Sequence, residues 1–167
     1  KLTVTFPKSV GQIELNFPFK PGSHGNQPHS GPNGAGATRV LGELYPFGYG
    51  LSYTKFRYKS KGVNVEQDTV KVSFEVSNTG KYDGDEVAQV YVKYPETGTY
   101  MPLKQLHGFK RVHIKKGKTS KVTIGVPKKD LRYWDEQERK LVTPKGEYTF
   151  MVGASSDDIK FRETVGL

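Results

Sequence analysis

Apolar and polar residues alternate through most of the chain beyond Phe56. In "TVKVSFEVSNTG", Val70, Val72, Phe74 and Val76 fall on one side, and Lys71, Ser73, Glu75 and Ser77 on the other. A period of two describes a half-buried strand of an antiparallel sheet, and the Asn-Thr-Gly triplet closes it with a turn. "DEVAQVYVKYP" places Ala88, Val90, Val92 and Tyr94 on one face. Val87 and Tyr91 make its other face apolar as well, so this strand is expected to be covered on both sides. The pattern returns at Val112 and Ile114, at Val122, Ile124 and Val126, and at Tyr148, Phe150 and Val152. "YKSKGVNVE" (58–66) is a weaker opening strand. The helical period is nearly absent, and "DLRYWDEQER" has room for one turn. Short strands punctuated by turns roughly every 8–12 residues predict an all-β fold, an immunoglobulin- or fibronectin III-like antiparallel β-sandwich with an extended N-terminal arm and linker.

Before Phe56 the text is different. "KLTVTFP" alternates through Leu2, Val4 and Phe6 until Pro7 stops it, which predicts a short strand. Residues 20–43 are dominated by Gly, Pro, Ser and Asn. A structureless loop of that length is unusual inside one compact domain, so it reads as a linker or as a segment lying over a neighbouring surface. "LYPFGYGLSYTKF" (44–56) has neither period. Pro46 turns the chain, and Gly48 and Gly50 permit close backbone approach or positive φ. Tyr45, Phe47, Tyr49, Leu51 and Tyr53 can then pack against neighbours on two sides, as an aromatic hinge.

Composition supports a folded domain. Ten Tyr and nine Phe supply a core, because a large ring buries roughly 150–250 Å². No cysteine is present, which excludes disulfides, thiolate zinc sites and a cysteine nucleophile. No apolar run approaches the about 20 residues of a membrane span. The net charge of +9 is concentrated in "HIKKGKTSK" and "PKKD". It reads as a solvated basic face, or as a surface for anionic polysaccharide. Aromatics do not interleave with these lysines as a nucleic-acid stacking platform requires, so no nucleic-acid partner is expected.

A search for assembled chemistry returns little. "GLSYT" begins like a nucleophile elbow, but Thr54 stands where the second glycine belongs. His24 and His29 lie in the Gly/Pro loop, and no helical His pair or carboxylate triad accompanies them or His107 and His113. "YDGDE" (82–86) lacks the later ligands of a calcium loop and reads as a polar turn. The adjacent acids Asp157–Asp158 and Asp135–Glu136–Glu138 diverge along the chain and are expected to be solvated. "GPNGAG" has no following Lys-Ser/Thr and no helix start. Neither a metal nor a cofactor is called for. Tyr100 and Trp134 are candidate sugar contacts, although a lone Trp beside a strand reads first as core.

The words themselves carry more. "LYPFGYGLSYTKF" resembles, nearly letter for letter, a hallmark stretch of glycoside hydrolase family 3, the β-glucosidase-like enzymes. "KLTVTFPKSVGQIELNF", "VSNTGKYDGDEVAQVYV", "PLKQLHGFKRVHIKKGKTSKVTIGV", "DLRYWDE" and "GEYTFMVGASSDDI" resemble further family motifs in the same order. The resemblance implies that residues 1–19 are the last strand and exit of an upstream α/β sandwich domain. Residues 20–55 are then a linker with its aromatic hinge, and residues 56–167 a fibronectin III-like domain. It implies a retaining mechanism with an Asp nucleophile and a Glu acid/base, both upstream of Lys1. No catalytic residue transfers to this chain, since its one Ser-Asp, Ser156–Asp157, lies in the closing "ASSDDI". The expected role is a non-catalytic accessory domain bracing the barrel and α/β domains of a periplasmic or secreted enzyme, with β-glucosides met only through that enzyme. The hinge residues Tyr45, Phe47, Tyr49, Leu51 and Tyr53 are the expected interdomain contact. A carbohydrate- or anionic-surface-binding module is the alternative, and residues 1–50 could self-associate where the upstream domains are missing.

Overall fold

The computed structural model describes residues 1–10, 12, 15–20, 42–96 and 101–167. Among these, the strands in chain order are β1 (Phe56–Val65), β2 (Thr69–Asn78), β3 (Gly84–Lys93), β4 (Gln105–Ile114), β5 (Thr119–Pro127), β6 (Tyr133–Asp135), β7 (Lys140–Val142), β8 (Glu147–Gly153) and β9 (Ile159–Gly166). A 3-10 turn, Lys128–Leu131, follows β5. One sheet has the order β1-β2-β5, a second the order β4-β3-β8-β9, and β6 pairs only with β7. All pairings are antiparallel. The fold is the antiparallel sandwich that the alternating pattern predicts.

The core follows from register. Val72 lies opposite Ile124 and Phe74 opposite Val122, so the apolar faces of β2 and β5 coincide. In the second sheet Val90 opposes Val152 and Val92 opposes Phe150. These side chains are almost wholly buried and interleave between the two sheets. Because the side-chain period is two, a one-residue slip in any of these pairings would carry the apolar set to the solvent face. Phe74 is stacked on Tyr58 at 6.0 Å and meets the edge of Phe161 at 5.9 Å. It thereby joins β1, β2 and β9. The two sheets also meet at their rim, where the Ser60 hydroxyl donates to Glu163 Oε1 at 2.7 Å.

Two buried side chains tie the strand ends. The hydroxyl of Tyr148 donates to the carbonyl of Pro144 at 2.6 Å, the tyrosine corner of such sandwiches. Asn78, at the end of β2, accepts from the Thr54 hydroxyl at 2.6 Å and donates to the carbonyls of Tyr82 at 2.7 Å and Ile114 at 2.8 Å. The Asn-Thr-Gly triplet is therefore a turn and a buried staple at once, linking the entry to β1 with β2 and the β4–β5 hairpin.

Three sequence expectations are corrected. Leu2–Phe6 is not a strand, and only Phe6 forms a bridge, with Tyr45. Trp134 is not core but 57% exposed, because β6 and β7 form a two-stranded ribbon outside both sheets. The alternation of Ile159, Phe161, Glu163 and Val165 makes a full strand, β9, where the sequence reading separated none.

Replacing Phe74 by Ala is expected to cost about 3–5 kcal/mol, since a buried ring is lost and its cavity is walled by three strands. Chemical denaturation of wild type and variant measures this. The Tyr58 hydroxyl is buried with no hydrogen-bond partner among the described residues. Tyr58→Phe should accordingly be neutral or stabilising by up to about 1 kcal/mol in the same experiment.

Candidate functional site

The outward side of β3 is apolar, as its sequence predicts, and the residues before β1 cover it. Tyr91 is fully buried there. The ring of Phe17 meets it edge-on at 5.7 Å and stacks on Phe47 at 4.6 Å. Burial pushes the Tyr91 hydroxyl well above the usual phenol range. The N-terminal arm runs antiparallel to the hinge: Leu2 N–H donates to Tyr49 O at 2.8 Å, Gly48 N–H to Leu2 O at 2.8 Å, and Phe6 N–H to Tyr45 O at 2.9 Å. Lys1 adds an ion pair to the buried Glu86 at 3.2 Å.

At the centre of this contact is an amide. Gln89 is 3% exposed. Its Nε2 donates to Gly48 O at 3.0 Å and to Ala154 O at 2.8 Å, and its Oε1 accepts from the Tyr91 hydroxyl at 2.5 Å. Both amide hydrogens and the carbonyl are engaged, so its burial carries no unmet polar group. Gly48 is required at this point. Its φ is +80°, and a Cβ would lie 2.1 Å from Gln89 Oε1. The β8–β9 turn is held from a second side, where Ser156 N–H donates to Phe47 O at 2.9 Å and Lys104 Nζ donates to Ser156 O. Desolvation lowers the Lys104 ammonium below the usual lysine range.

The five hinge residues thus divide. Phe47 faces inward and anchors the segment on Phe17. Tyr45 and Tyr49 stack on each other at 4.9 Å, and Phe6 meets Tyr45 edge-on. Leu51 and Tyr53 point into solvent, 87% and 97% exposed. With the exposed Val4, Phe6 and Leu44 they leave apolar surface along the arm and hinge. Beside it Leu2, Phe47, Val87, Leu106 and Phe109 line an open apolar hollow of about 250 Å³. Of the candidate sugar contacts, Trp134 stands opposite the exposed Leu141 on the β6–β7 ribbon, far in sequence from the hinge. Tyr100 lies outside the described residues, as do His24, His29 and "GPNGAG".

Sequence reasoning missed Gln89, Phe17 and Lys104. The signal for Gln89 was a neutral polar residue within the apolar run of β3, flanked by the second-face Tyr91. Toward the start of β3, at the solvent-exposed end of the same face, Asp85 carries Arg111 at 2.9 Å and His113 at 2.6 Å. The Arg111 guanidinium, then His113, holds its carboxyl below the usual range. No group of three or more His, Asp or Glu among the described residues could hold a metal ion. Nor is any described helix long and apolar enough to cross a membrane.

His107 lies 2.9 Å from the Tyr94 hydroxyl, which donates to Gln105 Oε1 at 3.1 Å. Burial pushes Tyr94 up to about 12. Burial likewise lowers His107 below its ordinary 6.5, against a weaker opposing pull from Asp130.

The family described as a fibronectin type III-like domain matches residues 86–156. A β-xylosidase of Formosa agariphila is 40% identical over 170 aligned residues, covering 96% of this chain and 22% of that protein. Probable β-glucosidase D of Aspergillus niger is 38% identical over 72% of this chain and 18% of its own length. Among solved structures, β-glucosidase 3B of Thermotoga neapolitana in complex with α-D-glucose superposes with a TM-score of 0.77 at 28% identity, covering 98% of this chain and 24% of that one. The β-glucosidase of Kluyveromyces marxianus in complex with glucose gives 0.70 at 39% identity over 74% of this chain and 15% of its own. The chain therefore spans about a fifth of the relatives' length.

Gln89→Leu should strand the Gly48 and Ala154 carbonyls and the Tyr91 hydroxyl. The expected cost is about 2–4 kcal/mol, with amide-exchange protection lost first at Leu2, Phe6 and Gly48. His107 gives a second prediction. Its folded pKa is depressed, so the unfolded chain binds the proton more readily and stability falls as pH drops below 6.5. His107→Gln should flatten that part of a pH–stability profile.

Proposed function

The chain belongs to the C-terminal region of the glycoside hydrolase family 3, β-glucosidase-like proteins, with their fibronectin type III-like domain, and from that premise we propose that it is a non-catalytic brace for the catalytic domains of an exported β-glycosidase. The observation that carries this reading is the split hinge. One side of "LYPFGYGLSYTKF" is fastened to the sandwich through Phe47 and the Gln89–Gly48 bond. The other side presents Leu51 and Tyr53 almost fully exposed. Fastening a segment so firmly while leaving large apolar side chains in water makes physical sense if a second surface covers them.

On this reading residues 1–19 belong to the edge of an upstream α/β domain, 20–55 are linker and hinge, and 56–167 are the accessory sandwich. Tyr45, Tyr49, Leu51 and Tyr53 then meet that upstream domain. Acid and nucleophile are supplied by the upstream domains, and the sandwich contributes alignment and stability. Where those domains are missing, self-association through residues 1–50 would cover the exposed Val4, Phe6, Leu44 and Tyr45.

The test is a comparison of the chain with a longer product that includes its upstream sequence. The longer protein should hydrolyse aryl-β-glucosides or aryl-β-xylosides, and the 167-residue chain should not. In the longer protein, Leu51→Asp with Tyr53→Ser should lower Tm by several degrees, since roughly 1–2 kcal/mol of apolar contact is lost for each residue. In the isolated chain the same pair should change Tm little. Turnover by the isolated chain, or equal Tm loss in both contexts, would refute the brace.

A further inference from the structure

The arm and hinge occupy only one outer face of the sandwich. The other, the outer face of β1-β2-β5, is charged in a way that the brace does not use. Along β1, Arg57, Lys59 and Lys61 are exposed on alternate positions. Register sets Lys59 opposite Glu75 and Glu75 opposite Lys121, a row across three strands. Neighbouring strands lie about 4.8 Å apart, so this row spans roughly 10 Å. Glu75 is the one acid in the row and already pairs with Lys61 at 3.1 Å. Hydroxyl pairs flank it on both sides, Ser73 with Thr123 at 3.1 Å and Ser77 with Thr119 at 2.7 Å. A hollow of about 270 Å³ opens between Lys61, Ser73, Glu75 and Lys121.

We propose that this face binds a linear anionic polysaccharide, with the Arg57–Lys61 file and Lys121 meeting its charged groups and the hydroxyl pairs its sugar hydroxyls. Three features favour that occupant. Cations exceed acids, so the face is complementary to a polyanion. The outward positions of β2 and β5 between Lys71 and Lys121 are hydroxyl, carboxylate or ammonium rather than large apolar groups, which suits a hydrated polymer better than a protein core contact. Arg57 and Lys59 also stand about 7 Å apart along β1, ahead of the register shift between Ser60 and Val63, a spacing that a repeating ligand can follow. It lies on the opposite side of the sandwich from Gln89 and Tyr91, so an upstream domain seated on the hinge would leave it free.

The probes are heparin, a sulfated polysaccharide, and polygalacturonate, a polyuronate, titrated into the whole chain at low and moderate salt. Binding to at least one is expected, weakening steeply with salt. Lys59→Glu with Lys121→Glu should weaken it by about tenfold. Lys93→Glu with Lys145→Glu, the same change in net charge on the other sheet and its turns, should alter it by no more than about twofold. Glu75→Gln should strengthen it. Should the double reversal fail to fold, Lys59→Gln with Lys121→Gln reads the same site. Heparin binding without polygalacturonate binding assigns sulfate esters as the anion, and the reverse assigns carboxylates. Absence of binding to both at low salt overturns the proposal. So does equal loss in the two double reversals, or equal affinity for duplex DNA or for phosphatidylserine vesicles.

Discussion

The arrangement of this chain depends on one buried amide. Gln89 sits on the outward side of β3, where an uncovered apolar strand would otherwise face water. By donating to carbonyls on either side of it, Gly48 of the hinge and Ala154 of the β8–β9 turn, it fixes the segment that covers that strand. A hydrophobic residue there could bury as much area but could not choose a register. The amide selects one position of the hinge, and Gly48 is the residue that can occupy it. Phe17, Phe47 and the arm then stack in places already determined.

Much of the sandwich was legible from alternation alone. Val70, Val72, Phe74 and Val76 announce their face because the period of two is unbroken over β2. Val87 and Tyr91 announced a strand covered twice. What periodicity could not show was the cover itself. The arm pairs with the hinge across some forty intervening residues, and no local pattern reports a partner that distant. Trp134 misled because its type favours burial, whereas its environment is a ribbon that belongs to neither sheet. β9 was overlooked because Lys160, Arg162 and Glu163 dilute its apolar positions, and only the pairing with β8 supplies the missing hydrophobic wall.

The two outer faces of the sandwich follow different physics. One is closed by aromatic stacking and directional hydrogen bonds, and it ends in exposed Leu51 and Tyr53. The other stays wet, ordered by cross-strand hydroxyl pairs and an ion pair on Glu75. Setting the Arg57–Lys61 file and Lys121 on the face away from the apolar hinge separates two kinds of contact within one sandwich. Aromatic surface on the basic side would invite promiscuous association.

The pairing of the arm with the hinge has a consequence for moving this domain between proteins. A graft cut where the first strand begins, at Phe56, would look complete by strand count. It would also expose the Tyr91 ring and leave the Gln89 amide facing water without its Gly48 acceptor. The transplantable unit is therefore larger than the sandwich. It includes Lys1–Phe6, Phe17 and the hinge, so a recombination junction placed at Phe56 would cut through its wall.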